Sequence, residues 1–255
     1  MPSFHSCAHT SGNDITFSCT KCAHCCYGHN LPLTWEEAIF WLEDGGQIDV
    51  YCEADAWPMD SVDAARATHR RRRSFPALCG DIEVRITAIL VAAISGACRY
   101  LAEDLTCRIY DRRPLVCGIY PAEINPFIQL QPSRKACPPE AWDSREPLVT
   151  SNLQMLIERS RQTDQDDAPQ KSLLCDQLQM NVAAIAGEGF VRYSPEVHTL
   201  LEAMHNTRPA NLKPFGTPSP WRLCSHKPES VQQLFTSGAA VAFKDPNDPY
   251  SYLLA

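Results

Sequence analysis

Four thiols within eight positions, Cys19-x2-Cys22-x2-Cys25-Cys26, constrain this chain more than any other feature. A two-residue gap lets neighbouring thiolates turn toward one centre while the amides between them point at sulfur. Iron–sulfur loops and zinc knuckles both use this spacing. The first three cysteines match a ferredoxin-type run, whose fourth ligand comes from far along the chain and is often followed by proline. Cys137-Pro138 fits that description. In an extended backbone Cys25 and Cys26 point to opposite sides, so the pair calls for two centres rather than one. Cys98, Cys107, Cys117 and Cys137 bring the clustered thiols to eight, enough for two four-thiolate sites.

The compartment follows from the same residues. The start of the chain, Met1-Pro2-Ser3-Phe4-His5, lacks the basic and apolar regions of a secretion signal. Thirteen cysteines are then expected to stay reduced, as metal ligands or redox groups rather than disulfides. Cys7, Cys52, Cys79, Cys175 and Cys224 read as free or buried thiols, Cys175 because it shares helical spacing with Leu178 and Val182. His5, Cys7 and His9 could chelate at alternate positions, although a frayed tail explains them as well. The longest apolar run, 88–94, is far short of the roughly 20 residues that cross a bilayer. A net charge of -7 disfavours a general nucleic-acid or anionic-membrane binder. A cytoplasmic protein without membrane contact is the expectation.

Buried thiolate centres need compensating charge. Arg99 and Arg108 directly follow Cys98 and Cys107, and Arg112-Arg113 precede Cys117. Arg99, Arg108 and Arg113 are therefore candidate donors to sulfur, the alternative being surface arginines beside buried cysteines. His24 and His29 flank the first block, and Tyr110 and Tyr120 are expected to pack over the site.

The blocks Phe17-x-Cys19-x2-Cys22-x2-Cys25-Cys26, Cys98-Arg99-Tyr100-Leu101, Cys107-Arg108-Ile109-Tyr110, Arg113-Pro114-x2-Cys117 and Tyr120-Pro121 stand in a distinctive order. Over about 15–140 the chain resembles the YkgJ-type cysteine-cluster family, whose domain is described as zinc- or iron-chelating. The resemblance implies a metal-binding protein whose ligands are the eight clustered cysteines. One branch of that family is similar to enzymes that N-methylate lysines of flagellin, for which an iron–sulfur cluster has been invoked.

Around these motifs the sequence predicts an α+β protein. A small, loop-rich cysteine-cluster domain covers 15–145, and a mostly helical C-terminal region of unknown role covers 146–255. Thr34, with Glu37 three residues on, predicts a capped helix whose stripe Trp35, Ala38, Ile39 and Leu42 packs on the cysteine loop. Residues 50–80 have no clear period and read as an insertion containing the basic run 69–73, either a solvated loop or a phosphate contact. Residues 82–87 alternate as a strand with one wet face. Helices are expected near 148–160, 172–186 and 195–205, the last with Ser194 as N-cap, separated by an acidic linker at 161–171. A short strand is expected near 239–243.

Two function classes stay open. One is a redox or group-transfer enzyme built on an iron–sulfur cluster and acting on a protein or small-molecule substrate. The other is a non-catalytic zinc module with a structural or partner-binding role. Metal storage is a third, weaker idea. No phosphate-binding glycine loop, dinucleotide fingerprint or Ser–His–Asp order is present.

Overall fold

The computed structural model describes residues 15–59, 63–207, 219–243, 245 and 247–254. His5, Cys7 and His9 lie outside them. The chain divides into two compact units, one of residues up to 29 with 94–161, the other of 30–93 with the rest of the chain.

The second unit is a nine-stranded sheet with helices. Its first half contributes β1 (Asn30–Leu33), α1 (Trp35–Glu43), β2 (Asp49–Ala56), α2 (Ala64–Arg72), β3 (Phe75–Cys79) and β4 (Ile82–Ala93). β4 is the organising strand. One edge pairs antiparallel with β2 from Val84 to Val91. The other edge pairs with β3 over its first half and with β1 over its second. Because β4 is central, the wet face expected at 82–87 is covered: Arg85 and Thr87 are buried. Burial is tolerable for Arg85 because its guanidinium donates to Ser74 Oγ (3.0 Å), the Arg71 carbonyl (2.7 Å) and the Ser74 carbonyl.

The basic run belongs to α2 rather than to a loop. Asp63 caps the helix by accepting from Arg66 N (2.9 Å), and the arginines sit in its last turn, where the helix dipole favours cations. Arg70 pairs with Asp55, and Arg73 Nε donates to Asp164 at 2.8 Å. Residues 50–56 and 75–80 thus belong to the strands and turn of the sheet, and 64–72 to α2. α1 carries the expected capping box, with Glu37 N on Thr34 Oγ1 and Thr34 N on Glu37 Oε2. Its packing partners are β1, β4 and α5 (Val197–Asn206), where the sequence pointed to the cysteine loop.

The C-terminal region is not mostly helical. It holds α4 (Ser151–Gln177), α5 and α6 (Pro228–Thr236), but also β5 (Val182–Ile185), β6 (Gly189–Tyr193), β7 (Ser219–Pro220), β8 (Arg222–Cys224) and β9 (Tyr250–Leu254). β5 lies parallel between β2 and β8, and β6 joins β2 to β9. The spacing of Leu174, Leu178, Val182 and Ile185 mimics a helix face, yet the chain leaves the helix at Gln177. A left-handed Gln179 (φ 54°) then starts the turn into β5, whose Val182, Ala183 and Ala184 are buried between neighbouring strands.

The acidic linker is also helical. Asp164 in α4 accepts from Lys171 Nζ (2.8 Å) as well as Arg73, and Asp167 accepts the Trp35 amide at 2.8 Å. The third helix forms as α5, although Ser194 does not cap it: Glu196 holds the N-cap position without a side-chain bond. The strand expected near 239–243 is a single bridge from Val241 to Leu223. Gly80 (φ +60°) is required where β3 turns into β4, since a Cβ there would stand 2.2 Å from the Gly238 carbonyl oxygen.

The first unit is built from loops. Its described regular elements are 3-10 turns at His24–Cys26, Tyr110–Arg112, Pro132–Arg134 and Pro139–Ala141, the short α3 (Leu115–Ile119) and the start of α4. Leu148 N bonds to Ile15 O (2.8 Å), Phe17 N to Glu146 O (3.0 Å) and Ser18 N to Ala141 O (2.8 Å), so 15–18 is fastened along 141–148. The Phe17 and Trp142 rings meet at 5.0 Å. Tyr100, Ile109, Ile119, Ala141 and Leu148 form a small buried core.

Candidate metal site

All eight clustered cysteines lie in the loop-built unit, none in a disulfide. Among the described residues, no three thiol, imidazole or carboxylate groups are placed so that they could hold a metal ion as they stand. Their grouping is read from the backbone ties and from which thiols act on one another electrostatically.

The first group is Cys19, Cys22, Cys25 and Cys137. Non-glycine left-handed residues, Lys21 (φ 57°) and Ala23 (φ 59°), fold the block, and the Lys21 amide donates to Cys19 Sγ at 3.4 Å. Cys137 is brought in from a distance by its neighbour Ala136. The Ala136 carbonyl meets His24 Nδ1 at 3.2 Å, and its amide donates to the Tyr120 hydroxyl at 2.8 Å. The same hydroxyl donates to the Cys137 sulfur. Burial pushes the Cys137 thiol up, Tyr120 pulls it down, and Cys25, Cys22 and Cys19 push it up again. Tyr120 itself is raised to about 12 by burial and by Cys137, against the pull of the Ala136 amide.

The second group is Cys26, Cys98, Cys107 and Cys117, and its frame is paired backbone. Cys98 N bonds to Cys26 O (2.7 Å), Gly28 N to Gly96 O (2.9 Å), and Tyr27 bridges Ala97. Leu101 bridges Cys107, with Arg108 N on Tyr100 O at 2.8 Å. Cys117 rides on α3. Burial raises the Cys26 and Cys117 thiols to about 12. Cys25, Cys98 and Cys107 add to the shift of Cys26; Cys98, Cys25, Cys26 and Cys107 add to that of Cys117. Burial also raises Cys98, while the amides of Tyr100 and Leu101 and the charge of Arg99 lower it.

Cys25 belongs to the first group yet touches the second. Burial raises it, the Cys26 thiol donates to its sulfur, and Cys19 and Cys22 raise it further. The pair is carried on a 3-10 turn rather than on extended backbone. Close, partly desolvated thiols cannot all ionise without a cation among them.

The three arginines differ. Arg99 acts on Cys98 and lies over the Tyr100 ring (5.6 Å). Arg113 stacks on Tyr110 at 4.0 Å, with Tyr110 itself exposed. The Arg108 side chain is exposed. His29 has a buried Nε2 without a hydrogen-bond partner among the described residues. Cys52, Cys79, Cys175 and Cys224 are buried free thiols, Cys52 and Cys175 hydrogen-bonded to each other in the sheet unit. Sequence reasoning missed the left-handed Lys21 and Ala23, since neither residue type signals a positive φ.

Such a thiol-dense, loop-built unit defines a cysteine-cluster domain. Residues 18–138 match the model of the CxxCxxCC family, described as "Putative zinc- or iron-chelating domain", the resemblance that its motifs implied. No curated protein and no solved structure matches the chain. No described helix is long and apolar enough to cross a membrane.

Proposed function

We propose that the chain binds thiophilic metal through two four-thiolate sets, Cys19/Cys22/Cys25/Cys137 and Cys26/Cys98/Cys107/Cys117, in a reducing, cytoplasmic setting. The observation that carries this reading is the family match over 18–138, with Cys25 and Cys26 adjacent on one 3-10 turn. The all-thiol donors suit an iron–sulfur cluster or zinc. The ferredoxin-like spacing and Cys137-Pro138 favour iron–sulfur for the first set. Arg99, beside Cys98, supplies compensating charge to the second. A redox or group-transfer step on a protein or small-molecule substrate would use the first set, whose Cys19 is exposed.

The second reading, a non-catalytic zinc module, draws on the paired backbone around Cys26, Cys98 and Cys107, which suits a closed structural centre. Metal and acid-labile sulfide analysis on protein purified without oxygen tests both readings. Stoichiometric sulfide with broad absorbance near about 400 nm establishes iron–sulfur. Zinc without sulfide establishes the module. Cys22→Ser and Cys117→Ser should each lower metal content and melting temperature together. Full metal occupancy in both variants would falsify the ligand assignment.

A further inference from the structure

Independently of the thiols, we propose that the outer face of α2, which ends in Arg71 and Arg72, is a docking surface for a short acidic segment of a partner protein, held through its carboxylates. α2 buries none of its residues, and its hold on the sheet unit is polar. Arg70 pairs with Asp55, and Arg73 Nε donates to Asp164 at 2.8 Å. The backbone between them is pinned as well. The Arg71 carbonyl accepts from Arg85 Nη2 (2.7 Å), and Ser74 Oγ donates to the Arg70 carbonyl (2.7 Å). Residues three apart share a helix face, so Arg70 and Arg73 turn one way and leave Arg71 and Arg72 outside it. Both are exposed, and neither side chain has an acidic partner among the described residues.

The fold thus neutralises two of four consecutive guanidiniums and leaves two in solvent. The helix dipole at this end, about half a negative charge, offsets only part of their repulsion. Carboxylates complete the balance, and the planar guanidinium fork takes them two bonds at a time. Because the backbone is pinned, both side chains project from a fixed base, which lowers the ordering cost of binding. The rest of the outer face is low: Ala64, Ala65 and Thr68 are exposed, and Thr68 Oγ1 folds back onto the Ala64 carbonyl at 2.7 Å. Size and sign select the partner. Nine residues make a helix only about 13 Å long. The chain carries a net charge of -7, so a long polyanion such as duplex nucleic acid meets repulsion beyond the patch. A short run of Asp and Glu feels mainly the patch, since exposed charges more than about 8 Å away are screened at physiological salt.

The test titrates the full chain, as purified, into a fluorescein-labelled peptide of four Asp-Glu repeats and reads fluorescence anisotropy at low salt. The peptide should bind, and Arg71→Glu/Arg72→Glu should weaken it at least about tenfold. Arg145→Glu/Arg159→Glu makes the same change in net charge at exposed arginines of the thiol unit. That variant should stay within about twofold of the wild type. Arg71 ties the helix down through its carbonyl rather than its side chain, so α2 should persist in the variant, as far-ultraviolet circular dichroism can check. Arg71→Gln/Arg72→Gln should give a smaller loss in the same direction. Absence of binding, or equal losses in the two Glu pairs, overturns the docking surface. Tighter binding of an oligothymidylate than of the peptide, lost with the same arginines, overturns the acidic partner in favour of nucleic acid. Each outcome reads the same whether or not the thiols hold metal, so this proposal and the metal-binding reading fail separately.

Discussion

At the scale of single residues, Tyr120 joins the two ends of the first thiol set. It accepts from Ala136 N and donates to Cys137, so one hydroxyl both places the remote thiol and steadies its thiolate. Tyr120→Phe keeps the ring and the Lys135 contact at 5.5 Å but loses both bonds. Metal affinity of the first set should fall about tenfold, the lower end of what outer partners of ligands are worth, with little change in the second. Chelator titration measures this, and equal losses in both sets would remove Tyr120 from that role. The sequence already pointed to Tyr120 and to the eight thiols as candidates for one site. Which thiols neighbour which was not legible beyond the Cys25–Cys26 pair, because Ala136 reaches His24 across 112 positions.

Elements show the same boundary between local and distant causes. The capping box of α1 was readable because Thr34 and Glu37 are three residues apart and settle the matter between them. The acidic stretch in α4 was not, because the partners that make it a buried helix, Arg73 and Trp35, lie elsewhere. β5 was misread for a related reason: four apolar residues at helical spacing say nothing of the β2 and β8 edges that pair with them. Burial pushes the Asp164 carboxyl up, but Lys171 and Arg73 outweigh it and hold it below its ordinary range. A depressed carboxyl stabilises the fold above its unfolded pKa of about 4, and that contribution disappears as pH falls through the lower folded value. Asp164→Asn should cost about 3 kcal/mol near neutral pH, since it leaves Lys171 buried without its carboxylate. Urea unfolding should show the gap between variant and wild type closing below about pH 4. A gap independent of pH would place the cost in packing instead.

On the scale of the whole molecule, the two units differ in what orders them. The sheet unit has nine paired strands and a core that includes Ile48, Val50, Ile86, Leu90, Leu174 and Trp221. It can hold itself by apolar burial. The thiol unit has short turns, the five-residue α3, the start of α4 and a small core, and the proposed function assigns much of its loop order to metal held by the thiols. Structural zinc can supply about 10–16 kcal/mol of apparent folding energy in such a setting. Chelation should therefore loosen the thiol unit and spare the sheet. Trypsin reports the difference, because Arg99, Arg108, Arg112, Arg134 and Arg145 are exposed in the thiol unit. After metal removal, cleavage at these positions should accelerate at least about tenfold, as local opening replaces a metal-locked loop. Cleavage after the buried Arg85 and Lys171 should stay slow, and far-ultraviolet circular dichroism should keep its strand and helix signal. Equal acceleration at Arg85 and Arg108 would mean that metal stabilises the whole chain as one cooperative unit, and the loop-built unit would then owe its order to the sheet as much as to its thiols.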